Sequence, residues 1–189
     1  MGKSLPASAS ERTRRSFLQA GLVLPAVLAA SRAFVPTPAC ADPDDATPPT
    51  GEGPFFRPRS PERTSFREAG DGGTPFELTG RVLTTDGNPI ARATLDFWHT
   101  NSAGSYDNEG FRFRGHQFTD ADGRYVLRTI VPGAYGGIAK HYHVKLAGAG
   151  VLLTTQLQFP EDVNAFRIDA RLVIRTAGGG QGRFDFVLG

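Results

Sequence analysis

Downstream of residue 75 the chain alternates apolar and polar positions. Phe76, Leu78, Gly80 and Val82 alternate with polar neighbours, and Ala93, Leu95 and Phe97 do the same in ATLDFW. A period of two marks a strand with one face buried. RYVLRTIV (124–131) and residues 141–146, 151–159, 171–175 and 184–188 complete about seven short strands. Asp86-Gly87-Asn88-Pro89 and Asp120-Ala121-Asp122-Gly123 supply turns. No amphipathic helical pattern stands out beyond the first 41 residues. The pattern predicts an all-β fold, a single β-sandwich domain over 77–189 with about seven or more short strands and long functional loops. Residues 42–76 are rich in Pro, Gly and charge and read as an extended arm anchored by Gly53-Pro54-Phe55-Phe56. Two Gly-rich loops interrupt the strands: Thr100–Phe113, carrying Tyr106, and Ile130–Lys140, carrying Tyr135. Loops of that length in a compact domain are often functional.

The first 41 residues change the charge picture. Thr13-Arg14-Arg15-Ser16-Phe17-Leu18-Gln19 has the form of a twin-arginine export signal. An uncharged run from Ser16 to Ser31 follows, interrupted by Pro25 and short of the ~20 apolar residues of a membrane span. Ala39-Cys40-Ala41 fits a small-x-small cleavage site. The expectation is a cleaved signal over 1–41, a periplasmic or secreted protein, and no stable membrane anchor afterwards. Five of the 21 Lys and Arg residues and one of the 19 Asp and Glu residues fall in this segment, so residues 42–189 carry a net charge of −2 rather than the +2 of the whole chain. With no basic stripe left, nucleic acid is excluded as a partner. The one cysteine, Cys40, leaves with the leader, and disulfide and thiol chemistry leave with it.

The candidate chemistry lies in AKHYHVKL, residues 139–146. His141 and His143 share one face of a strand, and paired imidazoles on a rigid element suit a transition metal. His-x-His alone is a weak signal, and two polar residues on a solvated strand face would look the same. Only two other histidines exist, His99 and His116, so further ligands would come from those, from carboxylates or from tyrosines. Tyr125 sits in an alternating strand and reads as core. Tyr142 lies between the two histidines and faces the other side. Tyr106 and Tyr135 remain; taken alone, each reads as a loop anchor before it reads as a ligand.

DFWHTNSAGSYDNEG, FRGHQFTDADGRYVLRTIVPGAY, HYH and LLTTQLQF, in that order, resemble the intradiol ring-cleavage dioxygenases, the family of catechol, hydroxyquinol and protocatechuate dioxygenases. EGPFF (52–56) resembles the family's entrance motif, with Phe55 and Phe56 in place of tyrosines. The resemblance implies a non-haem Fe(III) site of Tyr106, Tyr135, His141 and His143, with Tyr106 and His141 equatorial and Tyr135 and His143 axial. It implies that Tyr135 leaves the metal when a catechol enters, that Gln156 stands beside the substrate, and that Trp98 is a core or pocket-wall residue. The implied reaction takes a small catechol and O2 to a cis,cis-muconate-type product with both oxygen atoms incorporated. The family's arginine three residues before the first histidine is replaced by Ile138; Arg114, Arg128 and Lys140 are the candidate substitutes. Two other readings stand beside this one. A metal-free β-sandwich binding module explains TDADGRYVLRTIVPG but not the tyrosines and His-x-His together. A ferric site that binds catecholates without cleaving them explains the missing arginine. Assembly into a homo-oligomer is left open.

Overall fold

The computed structural model describes residues 46–162 and 168–189; the leader expected over 1–41 lies outside them. Among the described residues, nine strands form two sheets. β1 (Pro75–Thr84), β4 (Arg124–Ile130), β7 (Arg175–Gly178), β8 (Gln181–Arg183) and β9 (Phe186–Leu188) make one sheet, in the order β4-β1-β8-β7 with β9 along the second half of β1. β2 (Thr94–Trp98), β3 (Arg114–Phe118), β5 (His141–Gly148) and β6 (Val151–Gln158) make the other, all antiparallel, in the order β3-β2-β5-β6. The architecture is the expected β-sandwich. Among the described residues no helix is long and apolar enough to cross a membrane.

The period-two pattern explains the core. Leu78 and Val82 of β1, Leu127 of β4, Leu95 and Phe97 of β2, and Tyr142, Val144 and Leu146 of β5 are all buried in one apolar cluster between the sheets. Burying such side chains contributes about 1.5–3 kcal/mol each before entropy is counted. Two core tyrosines satisfy their hydroxyls on main chain, Tyr125 on Phe184 O (2.8 Å) and Tyr142 on Ile130 O (2.8 Å). Tyr125 is therefore core, as its pattern predicts.

Three local expectations change. RGHQF, left unassigned between the Thr100–Phe113 loop and the turn at 120–123, is β3; its Gly115 interrupts the apolar alternation and lets Phe66 and Arg63 approach. Residues 171–175 are not a strand: a 3-10 turn occupies Ala170–Leu172, capped by the Asp169 carboxylate, and β7 starts only at Arg175. β8 is also new. Gly178, Gly179 and Gly180 turn the chain between β7 and β8, in a segment too poor in apolar residues to show a strand period.

Residues 46–74 contain no regular strand; residues 48–63 run over the β3-β2-β5-β6 sheet, while Thr47 bonds Val187 of β9 and Thr64 and Phe66 bond Arg128 of β4 in the other sheet. Thr50 N donates to Thr154 O (2.9 Å) on β6, and His116 N donates to Pro61 O (3.0 Å) on β3. Lys145 on β5 pairs with Glu52. Ser60 Oγ donates to Asp96 Oδ1 (2.8 Å) on β2, and His116 Nδ1 donates to Ser60 O (2.8 Å). The face turned away from the apolar core is thus covered and polar.

His99 at the end of β2 is fully buried and committed: Nδ1 donates to Thr100 O (2.7 Å) and Nε2 accepts from Thr129 Oγ1 (2.7 Å). Burial, opposed by the Thr100 carbonyl, holds its imidazole down to about 3 from an ordinary 6.5. The unfolded chain takes up a proton here that the fold refuses, so stability is full above pH 6.5 and falls as the pH drops below it. Urea titrations at pH 7.5 and pH 5 should differ by about 2 kcal/mol from this residue, and His99→Gln should shrink the difference. A wild-type stability that does not change with pH would contradict a buried neutral His99.

Candidate metal centre

One row of side chains crosses the polar face of the β3-β2-β5-β6 sheet. Trp98 is in register with Arg114 on one side and His143 on the other, and His143 is in register with Gln156. Trp98 is a wall rather than core: its ring lies parallel to the His143 imidazole, centroids 4.8 Å apart at 3°. Tyr142 points to the opposite side, into the core, and the pleat therefore sends both histidines to this face.

The two imidazoles converge. His141 Nε2 and His143 Nε2 are 3.0 Å apart, and Tyr106 Oη is 3.3 Å from His141 Nε2. His141 Nδ1 donates to Ala139 O (2.6 Å), which fixes the tautomer and leaves the Nε2 lone pair facing its neighbours. Burial holds both imidazoles below their ordinary range, His143 down to about 3 with His141 and Arg114 adding to the effect. Both are neutral at pH 7, the form that ligates a metal. Burial raises the Tyr106 phenol to about 12, with Arg114 opposing and Tyr135 adding to the rise. Among the described residues no group of three or more His, Cys, Asp or Glu side chains could hold a metal ion, so a metal here would need the tyrosines.

Glycine contact brings the two tyrosine loops together. Gly133 N donates to Asn101 O (2.8 Å) and Thr100 Oγ1 donates to Gly133 O (2.7 Å). A Cβ on Gly133 would lie 2.2 Å from Gly104 N, and one on Gly104 would lie 2.1 Å from Ala134 O. The Asn101 carboxamide accepts from Ala103 N and Ser105 N (3.0 Å each), shaping the turn before Tyr106. Tyr135 opens a tight turn in which Ile138 N donates to Tyr135 O (2.8 Å) across Gly136 and Gly137, both with positive φ. The Tyr106 and Tyr135 rings meet edge to face at 5.5 Å. Phe55 of the arm stacks on Tyr106 (4.3 Å, 16°) and touches Tyr135 edge-on (5.2 Å). Tyr135 is the more open of the two tyrosines, 37% exposed.

The other candidates divide between the site and the rest of the fold. His99 and His116 are spent on the bonds already described. Gln156, opposite His143, donates from Nε2 to Gly51 O (3.1 Å) and so ties the arm to β6 beside the site. Ile138, where the family has an arginine, is 49% exposed. Arg128 does not substitute for it: it lies on β4 in the other sheet and pairs with Glu77 (2.9 Å). Lys140 is held by Glu161 (2.6 Å), in keeping with strand parity. Arg114 alone of the three is beside a tyrosine, its guanidinium 5.9 Å from the Tyr106 ring centre. The phenylalanine wedge and the Gly104–Gly133 contact escape sequence reasoning, because both join segments far apart in the chain.

A family profile described as Dioxygenase matches residues 52–172. The dioxygenase domain of a dioxygenase–carbohydrate-binding protein fusion from Streptomyces sp. SirexAA-E is 46% identical, with a TM-score of 0.70, over 76% of this chain and 97% of that one. The 3-chlorocatechol 1,2-dioxygenase of Rhodococcus opacus 1CP is 27% identical, with a TM-score of 0.68, over 77% of this chain and 73% of that one. The catechol 1,2-dioxygenase of Acinetobacter baylyi is 34% identical over 104 residues, 49% of this chain and 33% of that protein. The match thus spans about a third of that curated relative's length.

Gly133→Ala tests the loop contact. A Cβ there meets backbone, which cannot rotate away, so the variant should lose about 1–3 kcal/mol in chemical denaturation. Amides of residues 102–106 and 132–136 should exchange faster with D2O. Unchanged stability and exchange would mean that the two loops are not held by this approach.

Proposed function

The chain belongs to the intradiol ring-cleavage dioxygenase family, and on that premise we propose that it holds Fe(III) through Tyr106, Tyr135, His141 and His143 and cleaves a catechol-type ring with O2 to a cis,cis-muconate-type product. The observation that carries the reading is the 3.0 Å separation of the two Nε2 atoms. Two nitrogens each about 2.1 Å from one ion and at right angles to each other are about 3.0 Å apart. Two neutral imidazoles and two phenolates form a hard, anionic donor set that suits the ferric state and leaves little net charge buried.

Ferric iron bound here would supply the charge that holds a catechol as a dianion and the electronic route by which O2 reacts with the ring. The protein's own groups divide the remaining work. Tyr106, packed under Phe55, is the fixed phenolate. Tyr135, more exposed and set on a two-glycine turn, would be the residue to hold a catechol proton on Oη. Trp98, stacked on His143, holds that imidazole in one plane. Gln156 stands on the strand beside it and keeps the arm over the site.

The exposed Ile138 favours a second reading, in which the site binds catecholates without cleaving them. Loss of one transition-state cation costs about 10²–10³ in rate. Colour and turnover separate the readings. Wild-type protein reconstituted with Fe(III) should take up about one iron per chain, show a tyrosinate charge-transfer band, and convert catechol with 18O2 to a muconate carrying both labels. Tyr106→Phe and His141→Ala should lose iron or the band; full iron and an unchanged spectrum in both would reject this ligand set. Ile138→Arg should raise kcat without tightening substrate binding. If catechols shift the band but O2 is never consumed, the binding reading replaces the dioxygenase.

We also propose export by the twin-arginine route to the periplasm or beyond, on the strength of Arg14 and Arg15 ahead of an uncharged run. Arg14→Lys with Arg15→Lys should keep the folded protein in the cytoplasm. Normal export of that variant would remove the assignment.

A further inference from the structure

Arg114, the first residue of β3, is 2% exposed. Its guanidinium donates only to main chain: Nη1 to Phe55 O (2.5 Å), and Nε and Nη2 to Asp107 O (3.2 and 2.9 Å). No ion pair to it occurs among the described residues. The nearby Asp107 carboxylate is occupied instead by the amides of Glu109, Gly110 and Arg112. A buried cation bonded only to neutral carbonyls is costly unless an anion stands close by. The aromatic ring beside it is Tyr106, 5.9 Å from the guanidinium. The two carbonyls it binds belong to the residue stacked on Tyr106, Phe55, and to the residue after Tyr106, Asp107.

We propose that Arg114 is a positioning residue for Tyr106: it clamps the arm at Phe55 to the loop at Asp107 and supplies the fixed positive charge beside a metal-bound Tyr106 phenolate. The clamp follows from bonds to segments 59 and 7 residues away in sequence. The charge follows from the absence of a paired carboxylate and from the distance to the ring. A planar fork suits the task, because one guanidinium reaches both carbonyls at once; a lysine ammonium keeps the charge but offers no such fork. Arg114 does not replace the family arginine as a group touching substrate, since all its guanidinium bonds are to main chain and it is buried. The charge half of the proposal rests on the ferric reading of the site.

The test compares the full chain with Arg114→Met and Arg114→Lys, metal-free and after reconstitution with Fe(III). In the metal-free protein, amides of residues 55–57 and 106–110 should exchange at least tenfold faster in both variants, because neither side chain can bridge Phe55 O and Asp107 O. In the ferric protein, Arg114→Met should move the charge-transfer band to longer wavelength, because the donor phenolate has lost its stabilising charge. Arg114→Lys should restore the band towards its wild-type position while leaving the arm loose, a split that a purely structural arginine would not give. If Arg114→Met does not fold, Arg114→Lys carries the test: a loosened arm with a near-native band supports the proposal, and native exchange overturns the clamp. An Arg114→Met protein with native exchange and a native band overturns both halves. Wild-type protein that takes up no iron sinks the ferric reading and the charge half with it, and the metal-free exchange then decides the clamp alone.

Discussion

The antiparallel register of β5 between β2 and β6 is the constraint on which the site depends. It places Trp98, His143 and Gln156 abreast, and the pleat sends Tyr142 the other way, into the apolar core. A slip of one residue would exchange the two faces, burying the imidazoles between the sheets and ejecting Tyr142. That error is costly, because Val144 and Leu146 would leave the core with Tyr142. The packing of three apolar residues therefore aims the two histidines, with no need for the histidines to contribute to stability.

The arm turns this sheet face into an interior. Without residues 48–63 the polar face of β3-β2-β5-β6 would meet water; with them, His143 is 4% exposed and Asp96 is held by Ser60. Burial pushes the Asp96 carboxyl up from its ordinary range, and Ser60, His116 and Lys145 oppose the shift. The same covering keeps the imidazoles neutral. Phe55 stacked on Tyr106 and Lys145 over the Phe56 ring (3.9 Å) show how the arm's aromatic pair is used: one ring closes the candidate site and the other anchors the covering.

The two tyrosines are held to different degrees, which suits different work. Tyr106 is enclosed by Phe55, Arg114 and His141, in a loop pinned by the Asn101 and Asp107 side chains. Tyr135 stands at the mouth on a turn whose glycines have nothing within 4 Å of an added Cβ.

The sequence by itself determined the sandwich. Period-two alternation reports directly which side of a strand meets the core, so β1, β2, β4, β5, β6 and β9 were legible, as was the sharing of one face by His141 and His143. It left Tyr106 and Tyr135 as the tyrosines outside the core, and only the family resemblance implied that they are ligands. The short strands β3 and β8 were not legible, because glycine stands where an apolar residue would mark the period. Only the tertiary structure decided which arginine attends the site. Arg114, Arg128 and Lys140 look alike as charges in a chain, and their roles differ because β4 lies in the other sheet, Lys140 faces Glu161, and β3 brings Arg114 alongside Tyr106. Convergence of four loops and strands is a long-range property, and local pattern carries no information about it.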